Sequence, residues 1–248
     1  MNQSYLIGID IGTSACKVAL FDRSGCVLAA ANGDYPVYYP KEGWAEQNPE
    51  EWWSAVCGAV RQVIEEASVA PEEIAGVGID GQSWSAIAID RNGHVLTNTP
   101  IWMDTRAQSI CDRLNEEIGA EAIFEVAGNS LQPSYATAKI LWYKENLPEV
   151  YAKIDKILQS NSFIAFKLTG AVSQDLSQGY GLHCFDMRTG KWNEAMCEKL
   201  GIPVEFLPEI VPCDHVVGTV TKKAAEECGL AEGTPVVAGG LDAACGTL

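Results

Sequence analysis

A short stretch near the N-terminus, Ile7-Gly8-Ile9-Asp10-Ile11-Gly12-Thr13-Ser14, sets the tightest limit on what this chain can fold into. Tyr5 to Ile9 is apolar, rich in β-branched residues and too short for a buried helix, so it reads as a strand. Val18 to Phe21 reads as a second strand, which leaves Gly12-Thr13-Ser14 as a tight connection. Glycine at such a turn lets backbone N–H groups approach an anion closely, and the loop can form a nest that suits phosphate. Asp10, at the strand end, is then placed to hold Mg²⁺ directly or through water, because Mg²⁺ takes one or two carboxylates and keeps several waters. An ordinary hairpin with an acidic turn residue explains these residues equally well. The decision rests on what lies downstream.

After the turn Asp22-Arg23-Ser24-Gly25, Val27 to Ala31 completes an antiparallel meander, whereas a dinucleotide fold would place a helix after its first glycine loop. Asn48-Pro49-Glu50-Glu51 is a helix start, with Asn48 as cap and proline at the first position. Trp52, Val56, Val60, Val63, Ile64 and Ala67 then form one stripe, which is read as core. Ile74 to Ile79 is a buried strand ending in Asp80-Gly81-Gln82-Ser83-Trp84-Ser85, and Ala86 to Ile89 is another. Ile101-Trp102-Met103-Asp104-Thr105-Arg106 precedes a helix from about Ala107 to Ile118. Polar clusters just after apolar strands sit where open α/β sheets bind ligands. Ser173-Gln174-Asp175-Leu176-Ser177 reads as a polar loop able to line a cleft. Near the end, Thr234 to Ala238 is a strand running into Gly239-Gly240-Leu241-Asp242, an echo of the opening motif. The sequence stops at Leu248, inside the first turn of an expected helix, and a second domain is expected outside it.

The formal charge of −16 over 248 residues disfavours non-specific nucleic-acid or anionic-membrane partners. The nine cysteines include no C-x-x-C pair, a pattern of free thiols in a reducing compartment rather than of a disulfide or zinc framework. No leader segment and no apolar run approaching 18 residues is present, so a soluble, cytoplasmic protein is expected. His94, His183 and His215 are isolated, and nothing around them points to catalysis.

Taken together, the motifs resemble the FGGY family of carbohydrate kinases, within the ribonuclease H-like actin, hexokinase and Hsp70-type ATPase fold. The resemblance is carried by Gly8-Ile9-Asp10-Ile11-Gly12-Thr13-Ser14 with Lys17, Trp44 to Trp53, Gly78-Ile79-Asp80-Gly81-Gln82, Ile101 to Arg106, Thr137-Ala138-Lys139-Ile140-Leu141-Trp142 and Gly239-Gly240-Leu241-Asp242. It implies an α/β domain, residues 1–248, with a mixed β-sheet flanked by helices, the sugar-binding half of a kinase whose C-terminal nucleotide-binding half lies outside this sequence. ATP and Mg²⁺ are the implied cofactors and a small sugar the implied substrate, and a homodimer is admitted. By the resemblance Asp242 is the general base, Asp10 organises Mg²⁺, and Gly12, Thr13, Ser14 and Lys17 meet phosphate. Gln82, Ser83, Trp84, Asp104 and Arg106 are the implied sugar contacts, with Arg106 able to orient Asp104 through a bidentate pair. The spacing is most similar to xylulokinases, although Gln82-Ser83-Trp84 stands where those carry Gln-Met-His. A helix cap is the plain alternative for Asp242, and core packing for Trp84. A free-standing sugar-binding module without catalysis is the alternative for the whole chain.

Overall fold

The computed structural model describes residues 4–248. The chain opens as the expected meander of β1 (Tyr5–Ile11), β2 (Ala15–Phe21) and β3 (Val27–Asp34), each antiparallel to the next. The β1–β2 turn is tight: the Gly12 amide donates to the Ala15 carbonyl at 3.1 Å, and a Cβ on Gly12 would lie 2.9 Å from that oxygen. The Ile74–Gly81 strand pairs with β1 in parallel, and the parallel Pro235–Val237 strand and antiparallel Val216–Thr219 strand extend the sheet beyond it. A short Gly240–Leu241 strand also pairs in parallel with Ile74–Gly81, opposite Asp80 and Gly81, completing a seven-stranded mixed sheet. β1, Ile74–Gly81 and Gly240–Leu241 therefore run the same way and deliver their carboxyl ends to one rim.

Strand alternation decides which face of the sheet is covered. Ile7, Ile9 and Ile11 point into a core completed by Trp52, Val56, Val60 and Val63 of α1 (Pro49–Ala67). The α1 start is capped as its sequence dictates, with the Asn48 side chain accepting from the Glu50 amide at 3.0 Å. Phe163, Ile164 and Leu168 of the Ser160–Thr169 helix join the same core. On the other face, Gly8 and Gly78 are register partners, and the absence of side chains there opens a cleft of about 560 Å³ lined also by Asp10, Lys17 and Asp80. A second apolar cluster, including Ile110, Ile140, Leu141, Tyr143 and Leu200, forms among the helices of the 86–207 region.

Two local expectations differ from the structure. The helix read over Ala107 to Ile118 is α-helical only over Gln108–Leu114, widens over Asn115–Gly119, and continues as Ala120–Ala127. Gly119, at φ +94°, interrupts the regular ladder there. The stretch Ser173 to Ser177 is not a cleft-lining loop. Ser173–Asp175 is a buried strand paired in parallel with Glu209–Val211, and Leu176–Gly179 is one short helical turn capped by Asp175. No helix among the described residues is long and apolar enough to cross a membrane.

Candidate active site

Asp10 sits at the end of β1 between two charged neighbours. Lys17 is its register partner on β2, and Lys17 Nζ lies 3.1 Å from Asp10 Oδ2. The lysine side chain is 69% exposed, so this pair adds at most ~1 kcal/mol of stability, and its importance is the placement of a cation in the cleft. On the opposite side Asp80 is the parallel register partner of Asp10. Burial first, then the negative charges of Asp10 and Asp242, pushes the Asp80 carboxyl up to about 7. Its Oδ1 is buried and has no hydrogen-bond partner among the described residues. Asp80 was not among the expected site residues. A signal was available: Gly8-Ile9-Asp10 and Gly78-Ile79-Asp80 are the same tripeptide, and the sheet sets them side by side.

That raised carboxyl predicts a pH dependence. Between pH 4 and 7 the folded state holds more protons than the unfolded chain, so stability falls as pH rises through this window. Asp80→Asn is therefore expected to raise the thermal midpoint at pH 8 in metal-free buffer and to flatten its decline between pH 4 and 7. Melting curves that keep the wild-type pH slope in the variant would refute this assignment.

Asp242 is the first residue of the short Asp242–Cys245 helix, directly after the Gly240–Leu241 strand. Leu241 holds the cap position without a side-chain hydrogen bond, and Asp242 Oδ1 accepts from the Ala243 amide at 2.6 Å. Its Oδ1 accepts a long hydrogen bond from Ser83 Oγ, 3.5 Å. The approach to this point is demanding: Gly239 has φ +76°, and a Cβ there would fall 1.7 Å from the Ile79 carbonyl oxygen. Only glycine lets the chain turn this close to the neighbouring strand.

The Gly12–Ser14 turn is held from outside. Gly12 O accepts from the Tyr35 hydroxyl at 2.6 Å, Thr13 O from Gln47 Nε2 at 2.9 Å, and Thr13 Oγ1 from Trp102 Nε1 at 3.0 Å. Gln47 Oε1 accepts in turn from Gln82 Nε2 at 2.8 Å, so the turn and the second polar cluster are one buried network. Trp84 adopts φ +61°, and its indole stacks on Tyr135 with centroids 4.1 Å apart. The Trp84 carbonyl accepts from Lys139 Nζ at 2.9 Å, and the same ammonium donates to Ile101 O at 2.8 Å and Ser134 O at 2.6 Å. Lys139 is fully buried, and burial pulls its ammonium down to about 7. One lysine thus pins three loops. His183 is likewise fully buried, packed edge-on against Tyr135, and burial pulls its imidazole down to about 4.

Asp104 and Arg106, expected as sugar contacts, form a buried ion pair. Asp104 is 0% exposed, and its two oxygens accept from the Ala45 amide at 2.7 Å, the Arg106 amide at 3.0 Å and the Arg106 guanidinium at 2.8–2.9 Å. The guanidinium also reaches Glu46 Oε2 at 2.8 Å and lies 3.9 Å from the Trp44 ring centroid. Both oxygens of Asp104 accept from protein donors, and the pair clamps the 44–46 segment to the 101–106 turn.

The structure brings Asp10, Lys17, Asp80, Ser83 and Asp242 to one open rim. The N-terminal domain of the FGGY family of carbohydrate kinases matches residues 5–248. The chain belongs to this family. It is 32% identical to the xylulose kinase of Bacillus subtilis over 244 residues, covering 98% of this chain and 49% of that protein. It is 31% identical to the glycerol kinase of Carboxydothermus hydrogenoformans over 225 residues, covering 88% and 45%. The ligand-bound xylulose kinase of Lactobacillus acidophilus superposes with a TM-score of 0.91 at 27% identity, over 98% of this chain and 49% of that one. The expected actin/hexokinase-type fold is therefore the observed one. This FGGY chain spans about half the length of the relatives it matches.

Proposed function

We propose that this chain is the sugar-binding half of an ATP-dependent, Mg²⁺-requiring kinase that phosphorylates a hydroxyl of a ketopentose such as xylulose. The observation that carries the reading is the delivery of Asp10, Asp80 and Asp242 by three parallel strand ends to one cleft rim beside Lys17. Xylulose kinases among the relatives support the ketopentose. The free state of all nine cysteines fits the cytoplasm, where ATP is at hand.

The residues fit a divalent cation completed by water and phosphate. No group of three or more His, Cys, Asp or Glu among the described residues forms a closed metal cage, while Asp10 and the unpaired Asp80 Oδ1 supply the one or two carboxylates that Mg²⁺ accepts. When bound, Mg²⁺ neutralises charge on the phosphates and aligns them for in-line transfer. Asp242 accepts the proton of the attacking hydroxyl, a contribution of ~10²–10⁴ in rate. Ser83 orients that carboxylate, and Lys17 supplies positive charge near the transferred group. The Trp84–Tyr135 stack offers an aromatic wall for the C–H face of the sugar, and the buried Gln82 ties the turn before Trp84 to Gln47.

A panel of ketopentoses, glycerol and sugar acids, offered with ATP and Mg²⁺ to the protein joined to its second half, tests this reading. Sugar-dependent ATP consumption greatest with a ketopentose is expected. Absence of sugar-dependent consumption across the panel overturns it. Residues 1–248 alone are expected to bind the sugar weakly, near ~1 mM, because cleft closure is missing, and to show no turnover.

A further inference from the structure

The segment Ala238–Asp242 has to place a carboxylate against a hydroxyl, yet a glycine at φ +76° and a second glycine behind it give the backbone little intrinsic stiffness. Its stiffness is supplied from a buried group that the proposed chemistry does not use. Asp175 is 1% exposed, and its carboxylate accepts from five donors: Ser177 Oγ at 2.5 Å, the Gln178 amide at 2.9 Å, Asn161 Nδ2 at 2.9 Å, Gln174 Nε2 at 3.0 Å and, more weakly, Cys213 Sγ at 3.9 Å. Three of those donors reach onward. Ser177 Oγ accepts from the Leu241 amide at 2.8 Å, immediately before Asp242. Asn161 Nδ2 also donates to the Ala238 carbonyl at 3.0 Å, immediately before the glycines. Gln178 Nε2 donates to the carbonyls of Gly81 and Gln82 at 3.1 and 3.2 Å, the turn that carries Ser83.

One carboxylate therefore holds both ends of the glycine corner and the turn that hydrogen-bonds Asp242 from across the rim. We infer that Asp175, acting through Ser177, Asn161 and Gln178, is a positioning residue that fixes the direction of the Asp242 carboxylate. The inference rests on the assignment of Asp242 as the base. The hydrogen bond to Asp175 polarises the Ser177 hydroxyl, which strengthens it as acceptor for the Leu241 amide. Loss of this hydroxyl leaves that amide without its partner and lets the corner rotate, and a misplacement of about 1 Å is enough to cost ~10²-fold in rate.

The experiment uses Ser177→Ala in the two-domain kinase, measured in the wild-type and in the Asp242→Asn background. A partly buried hydroxyl is removed, so the protein is expected to fold. In the wild-type background kcat falls ~10-fold or more while KM for the sugar changes less than twofold; in the Asp242→Asn background, by single turnover, Ser177→Ala has less than a twofold further effect. Ser177→Thr, which keeps the hydroxyl, restores most of the loss. An equal fold-loss in both backgrounds, or a normal kcat in folded Ser177→Ala, overturns the inference. The underlying assignment fails separately, through a near-normal Asp242→Asn enzyme. Asp175→Asn gives an independent check: its amide meets at least one donor head-on, and it too is expected to lower kcat far more than it raises KM.

Discussion

Asp242→Asn in the two-domain kinase is expected to lower kcat by ~10²-fold or more, about 2.7 kcal/mol of transition-state free energy, with little change in sugar affinity. The substitution keeps the shape of the side chain and the Ser83 hydrogen bond to Oδ1, so the packing of the rim is preserved. It removes only the capacity to accept a proton. The competing role, a cap for the short helix through the Ala243 amide, is kept by asparagine, which caps as well as aspartate. Steady-state kinetics with thermal melts on the same preparation separate the cases. A folded variant with near-normal kcat would remove Asp242 from the chemistry.

Arg106→Ala is expected to act on stability instead. It strips the guanidinium from a carboxylate that is 0% exposed and leaves Asp104 with backbone amides as its donors. Breaking a buried pair from one side costs about 3–5 kcal/mol, which lowers the thermal midpoint by roughly 10 °C. The lost stacking of the guanidinium over Trp44 adds to this. The surviving folded enzyme should keep its KM for the sugar. A raised KM with an unchanged midpoint would return Arg106 and Asp104 to the sugar site.

What the sequence disclosed was mostly local. The β1–β2 turn, the Asn48 cap and the α1 stripe are written in neighbouring residues, and the structure has them where periodicity put them. The site was less legible because it is assembled across the sheet. Trp102-x-Asp104-x-Arg106 has the composition of a ligand cluster, but direction of the side chains depends on Glu46 and Trp44, far away in the chain. Asp175 looked like loop polarity because its partner strand, Glu209–Val211, carries no mark of pairing with it. Asp80 was recoverable in principle, through the repeated Gly-Ile-Asp, yet its altered acidity arises from burial first and then from the carboxylates of Asp10 and Asp242, which only the folded sheet brings together.

The Lys139 ammonium has a consequence for how such an enzyme changes over generations. Its three acceptors are main-chain oxygens of Trp84, Ile101 and Ser134, and every residue type carries one. The three hydrogen bonds of Lys139 are thus indifferent to the identity of those side chains. A substitution at any of the three leaves its acceptor oxygen in place, whereas a change at 139 removes all three hydrogen bonds at once. Selection, or a protein engineer, is free to explore the first kind of change and is confined by the second.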